Sequence, residues 1–154
     1  MEAPFDPRDL SRNELAAEAM RSFGELRLRV TGSSMLPAVQ PDDLLLVRQC
    51  RSEAAGPGDI VLYIRQSRLF AHRVVSCTGA HLVTQGDGMA QPDLPVTADE
   101  LLGRVMLVVR RGKTVRSALK PTLPARMAAA LFRRSAGASR LFLRLQGLRN
   151  RAST

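Results

Sequence analysis

The chain has 154 residues, 45% of them hydrophobic, with five Phe, one Tyr and no Trp. This composition excludes a disordered or fibrous chain and bounds the protein to about one domain with an aliphatic core. Its net charge of +9 is unevenly placed: residues 1–103 carry 10 basic and 14 acidic side chains, whereas residues 104–154 carry 13 basic and none acidic. A near-neutral domain with a basic appendage is built to meet an anionic surface, whether phospholipid, nucleic acid or acidic protein.

The N-terminal "MEAPFDPRDL" holds three acids and no apolar core segment, so it does not read as a secretory signal. Residues 11–23 predict a helix, with Ser11 and Glu14 at capping-box spacing and Gly24 as the residue that ends it. "LRLRVT" then alternates apolar and polar residues, the mark of a half-buried strand. "DDLLLVRQ" follows as a second strand and "GPGDIVLYIRQ" as a turn and a third. "RLFAHRVVS" is a fourth, joined to the third by the short "QSR" link as a hairpin. "AHLVTQ" and "GRVMLVVRRG" make six strands. The intervening "GDGMAQPDLPVTADE" has loop composition, with one helical turn expected in "TADELLG". Close strands with Gly/Pro/Asp turns predict a mainly β, antiparallel domain, a sandwich or partly open barrel.

Three segments result: an N-terminal helical segment at 1–25, a β domain at 26–116 and a basic tail at 117–154. In the tail Arg126, Arg133, Arg140, Arg144 and Arg151 are spaced 7, 7, 4 and 7, so on a helix they form one stripe. Leu131, Leu141, Phe142 and Leu145 fall mostly on the other side. Two readings stay open: a helix packed on the sheet with a solvated arginine face, or one lying on an anionic membrane. The tail lacks interleaved aromatic residues and any nucleic-acid motif, which argues against nucleic acid. The longest apolar runs fall far short of the ~20 residues needed to cross a bilayer. The expected location is cytoplasmic, with peripheral attachment to the inner membrane face through the tail. Cys50 and Cys77 are too few and too far apart for a disulfide framework or metal knuckle and are expected to be buried free thiols.

Few residues could do acid–base chemistry. Lys113 and Lys120 both lie late in the chain, which disfavours a Ser–Lys dyad with the serines of "TGSSMLPAV". A Ser–His pair remains. His72 alternates with Phe70 and Val74 on the apolar face of its strand, where histidines are commonly core residues. A sheltered imidazole, with an ordinary pKa of ~6.5, is also what a general base requires. Its orientation needs an acid, and Asp87 and Asp93 in the downstream loop are the candidates. His81 has no acid beside it and reads as surface.

The order of "VTGSSMLPAVQPDDLLLV", "GDIVLY", "AHRVV", "LVTQGDGMAQPDLPV" and "LLGRVMLVV" resembles the signal peptidase I superfamily, which includes the SOS-repressor autoproteases. The resemblance covers about residues 26–110. It implies that family's coiled antiparallel β domain and a serine endopeptidase without metal or cofactor, acting on an extended leader- or signal-like peptide. Ser34, before Met35, is the implied nucleophile. Histidine in "AHRVV" matches the archaeal and endoplasmic-reticulum branch, which makes His72 the implied base and Asp93 the triad acid. Ser33, Met35, Pro37, Arg73 and Asp87 are the implied supporting residues. Three departures stand out. Gly32 occupies a position where leader peptidases often carry a serine that helps bind the oxyanion. Asp42 replaces the usual Gly before Asp43 and implies a slightly different turn. The family's N-terminal membrane span has no counterpart here. A non-catalytic peptide-binding or regulatory module on the same fold is the alternative.

Overall fold

The computed structural model describes residues 7–115 and Leu119. Among them are one long helix and seven strands in a single antiparallel sheet. The basic tail with Arg126, Arg133, Arg140, Arg144 and Arg151, and the helix expected there, lies outside the described residues.

Helix α1 runs from Pro7 to Phe23 and so begins a turn earlier than expected. Proline suits the first turn of a helix, where its missing N–H has no intrahelical partner to lose. The Ser11–Glu14 capping box is therefore not a cap. Instead the Glu14 carboxylate accepts from the Ser67 hydroxyl at 2.9 Å, and the Asn13 amide donates to the Ser67 carbonyl at 3.0 Å. Gly24 does end the helix: at φ 72° it places its N–H 2.9 Å from the Met20 carbonyl. Ala17 and Met20, one turn apart, are fully buried against the sheet.

The strands are β1 (Glu25–Arg29), β2 (Leu44–Arg48), β3 (Ile60–Arg65), β4 (Arg68–Thr78), β5 (His81–Gln85), β6 (Leu101–Arg110) and β7 (Lys113–Thr114). Their order is β1-β2-β6-β3-β4-β5, with β7 paired to β6. The six predicted strands are all present, and β7 is an addition. Two residues are too short a run to carry a periodic signal. The strands form one antiparallel sheet rather than the two sheets of a sandwich. β6 returns to the middle and joins the β1-β2 pair to the β3-β4-β5 meander. Bulges between β2 and β6, β3 and β6, and β4 and β5 add local twist.

β3 is buried on both faces, which explains its continuous apolar run. Ile60 and Leu62 join Ala17, Met20, Met35, Val39 and Val108 on the helix side. Val61 and Tyr63 join Val74, Leu82 and Val96 on the other. The β3–β4 hairpin closes through Gln66 and Ser67 at φ 50° and 57°, the two left-handed residues that match strand twist. Leu101 N–H bonds the Thr97 carbonyl at 3.1 Å, which is the single helical turn expected before β6.

Two bidentate pairs fix the loops around this frame. Arg65 donates to both Glu100 oxygens at 2.6 Å and to the Leu94 and Pro95 carbonyls. The guanidinium bonds pull the Glu100 carboxyl down to about 2. Arg110 grips the buried Asp43 at 2.8 and 2.7 Å and reaches the Ala38 carbonyl. The turn before β2 keeps a left-handed residue, since Asp42 sits at φ 72°. Glycine adopts that conformation freely and aspartate tolerates it.

Both cysteines are free, but neither is fully buried: Cys50 is half-buried and Cys77 exposed. Cys77 lies on the far end of β4, past the bulge at Val74/Ser76, where the strand's residues are exposed. His81 is exposed, as expected.

Candidate active site

Ser34 lies in the loop between β1 and β2, held from below by its neighbours. Met35 and Leu36 are buried, and Leu36 precedes Pro37 through a cis peptide bond. The Val39 N–H bonds the Met35 carbonyl at 3.0 Å and the Leu36 N–H bonds Ser33 at 3.1 Å, which folds the segment into tight turns. Ser34 is thereby half-buried, whereas Ser33 is exposed.

A second loop, after β5, clamps the first. The Gly88 N–H donates to the Ser34 carbonyl at 2.9 Å, and the Asp87 N–H points at the Met35 sulfur at 3.5 Å. Gly86 is required by this approach, because a Cβ there would sit 2.7 Å from the Ser34 carbonyl oxygen. Asp87 itself turns the other way, into a bidentate pair with Arg73 at 2.9 and 2.7 Å. Arg73 also donates to the Gly58 and Leu119 carbonyls.

His72 projects from β4 beside Tyr63 and Phe70, with only 5% of its surface exposed. Its Nε2 lies 2.9 Å from the Ser34 hydroxyl and its Nδ1 2.7 Å from Asp93 Oδ2. The three sequence-predicted residues, 59 positions apart at the extremes, therefore form one continuous hydrogen-bonded line. Asp93 arrives from the loop that runs back along β5, where its N–H bonds the Thr84 carbonyl at 2.8 Å. Burial disfavours its charge, but bonds from His72 and Thr84, the attraction of His72 and the Tyr63 phenol outweigh that. The Asp93 carboxyl is held below the usual carboxylate range.

Thr84 and Tyr63 are site residues that the sequence reading missed. Thr84 donates its hydroxyl to Asp93 Oδ2 at 2.7 Å. Tyr63 is 2% exposed, and burial together with the nearby Asp93 charge pushes its phenol to about 12. A signal existed for Thr84: it alternates with Leu82 on the inward face of β5, where a hydroxyl must find a partner.

The arrangement can remove a proton from Ser34 and store it on an oriented imidazole. Gly32 brings no side-chain donor, but the Ser34 N–H has no hydrogen-bond acceptor among the described residues. Among those residues, no three His, Cys, Asp or Glu converge as metal ligands, and no helix is long and apolar enough to cross a membrane. No family model matches the chain, and no curated protein matches it either.

Proposed function

We propose that the protein is a serine endopeptidase of the signal peptidase type, cleaving a leader- or signal-like peptide. The observation that carries this reading is the unbroken line from Ser34 Oγ through His72 to Asp93. The Ser34 oxygen attacks the scissile carbonyl carbon while His72 Nε2 takes its proton. Asp93 holds the Nδ1–H and balances the imidazolium charge. The Ser34 N–H stabilises the oxyanion, and His72 returns the proton to the departing amine. Water, activated by the same imidazole, then hydrolyses the acyl-enzyme.

The outer edge of β1 has no paired strand among the described residues, and its chain leads directly into the serine loop. An extended peptide can add there as a further strand and present one carbonyl to Ser34. The missing side-chain donor at Gly32 is the feature that favours the alternative, a non-catalytic peptide-binding module. A fluorophosphonate probe separates the two. Wild-type protein is expected to be labelled and Ser34→Ala to be silent; an unlabelled wild type overturns the endopeptidase reading.

The basic tail gives the enzyme its second partner, an anionic membrane surface. Each arginine near such a surface contributes on the order of 1 kcal/mol, so the five-arginine stripe supplies attachment if its apolar face also inserts. Anionic vesicles are expected to co-sediment the protein at low salt, less so at high salt, and not after truncation at Pro121. Absence of binding at low salt, with a truncated chain that unfolds, assigns the tail to the core.

A further inference from the structure

We propose that Thr84 is a positioning residue for the catalytic line, fixing the Asp93 carboxylate through side chain and main chain together. The proposal rests on the endopeptidase reading above. Asp93 comes from a loop with little regular structure, yet a triad acid must hold its imidazole to within a fraction of an ångström. Thr84 supplies the missing rigidity. It is completely buried on β5, and it pairs in register with Val74, two residues from His72 on β4. Acid and base are thus referenced to the same pair of strands.

The contact is made at two points. The Thr84 carbonyl accepts the Asp93 N–H at 2.8 Å, and the Thr84 hydroxyl donates to Asp93 Oδ2 at 2.7 Å. That oxygen is also the one that accepts from His72 Nδ1, at 2.7 Å. One carboxylate oxygen therefore lies between two donors, which sets the carboxylate's rotation as well as its place. Threonine suits the task because its branched Cβ leaves few rotamers. Tyr63 closes the remaining side: its phenol faces both Thr84 and Asp93, and its ring meets His72 edge-on at 6.2 Å and 74°. Arg65 lies over the outer face of that ring, 5.4 Å from its centre.

Thr84→Val keeps the shape and removes the donor, whereas Thr84→Ser keeps the donor. The probe is a fluorophosphonate, read as kinact and KI, alongside proton NMR of the His72 ring. In Thr84→Val, kinact is expected to fall about 10²-fold with KI changed less than about twofold. The His72 Nδ1 proton resonance moves upfield as its bond to Asp93 loosens. Thr84→Ser restores both. An unchanged kinact in Thr84→Val, or equal loss in folded Thr84→Ser, overturns the proposal. If Thr84→Val does not fold, Thr84→Ala against Thr84→Ser makes the same comparison. A wild type that resists the probe defeats the endopeptidase reading alone. The NMR comparison then decides whether Thr84 orders Asp93 and His72, and an Nδ1 signal identical in Thr84→Val and wild type overturns it.

Discussion

Replacing Ser34 by alanine is expected to abolish hydrolysis of a leader-like peptide, on the order of 10⁴-fold or more, because nucleophile and base act as a unit. His72→Ala is expected to match it. Ser33→Ala, one residue away, should cost roughly tenfold or less, since an exposed neighbour can at most assist the oxyanion. The contrast follows from geometry. Ser34 Oγ is 2.9 Å from the imidazole, while Ser33 is exposed and points no hydroxyl at a described partner. The imidazole must be neutral to accept the serine proton. Burial disfavours the Asp93 charge, but hydrogen bonds from His72 and Thr84 hold its carboxyl below the ordinary range, so Asp93 should give up its charge, and its hold on His72, only at a lower pH than an ordinary carboxylate would. Peptide hydrolysis by the three variants across pH checks all of this. Equal losses from Ser33→Ala and Ser34→Ala would show that the wrong serine has been assigned.

Part of this site was legible in the residues themselves, whereas the choice of Ser34 over Ser33 and of Asp93 over Asp87 came from the resemblance to the signal peptidase I superfamily. Alternation put His72 on the apolar face of β4, and the loop composition around Asp87 and Asp93 placed two acids where a strand had just ended. The long-range contacts were harder. Nothing in "LVTQ" says that Thr84 meets Asp93 rather than another inward group, because the loop between them closes through tertiary bonds alone. The helix start was misplaced for a related reason. Ser11 and Glu14 have the spacing of a cap, but Glu14 is drawn into a contact with Ser67, 53 residues away. The single sheet was hidden too, since its order depends on β6 inserting between β2 and β3. Local patterns predict strands well and say little about which strand a late one joins. Cys77 shows the same limit: its residue type favours burial, but it lies on the part of β4 that runs past β3 and pairs with β5 alone.

The Arg73–Asp87 pair should be the most costly polar contact to break. Both side chains are only 9% exposed, and the two bonds, 2.9 and 2.7 Å, are charge-assisted. Removing one partner of such a pair typically costs about 3–5 kcal/mol, because the other charge stays in a poorly solvated place. Asp87→Ala is expected to be worse than Arg73→Met. A carboxylate deprived of its partner can take up a proton, whereas a guanidinium keeps its charge at any working pH. The damage should extend to catalysis. Asp87 lies between Gly86, which lets the loop close on Ser34, and Gly88, whose N–H holds the Ser34 carbonyl. Loosening that loop frees the nucleophile's backbone as well as the ion pair. Joint replacement, Arg73→Met with Asp87→Leu, removes both charges and should recover most of the stability, since apolar pairs commonly substitute for buried ionic ones. It should not recover full activity, because the Arg73 bonds to the Gly58 and Leu119 carbonyls are also gone. Urea unfolding of the three variants reads the stabilities directly, and fluorophosphonate labelling reads the site. A loss below about 1 kcal/mol in Asp87→Ala would place the pair with solvent-screened surface bridges and remove it from the frame of the site.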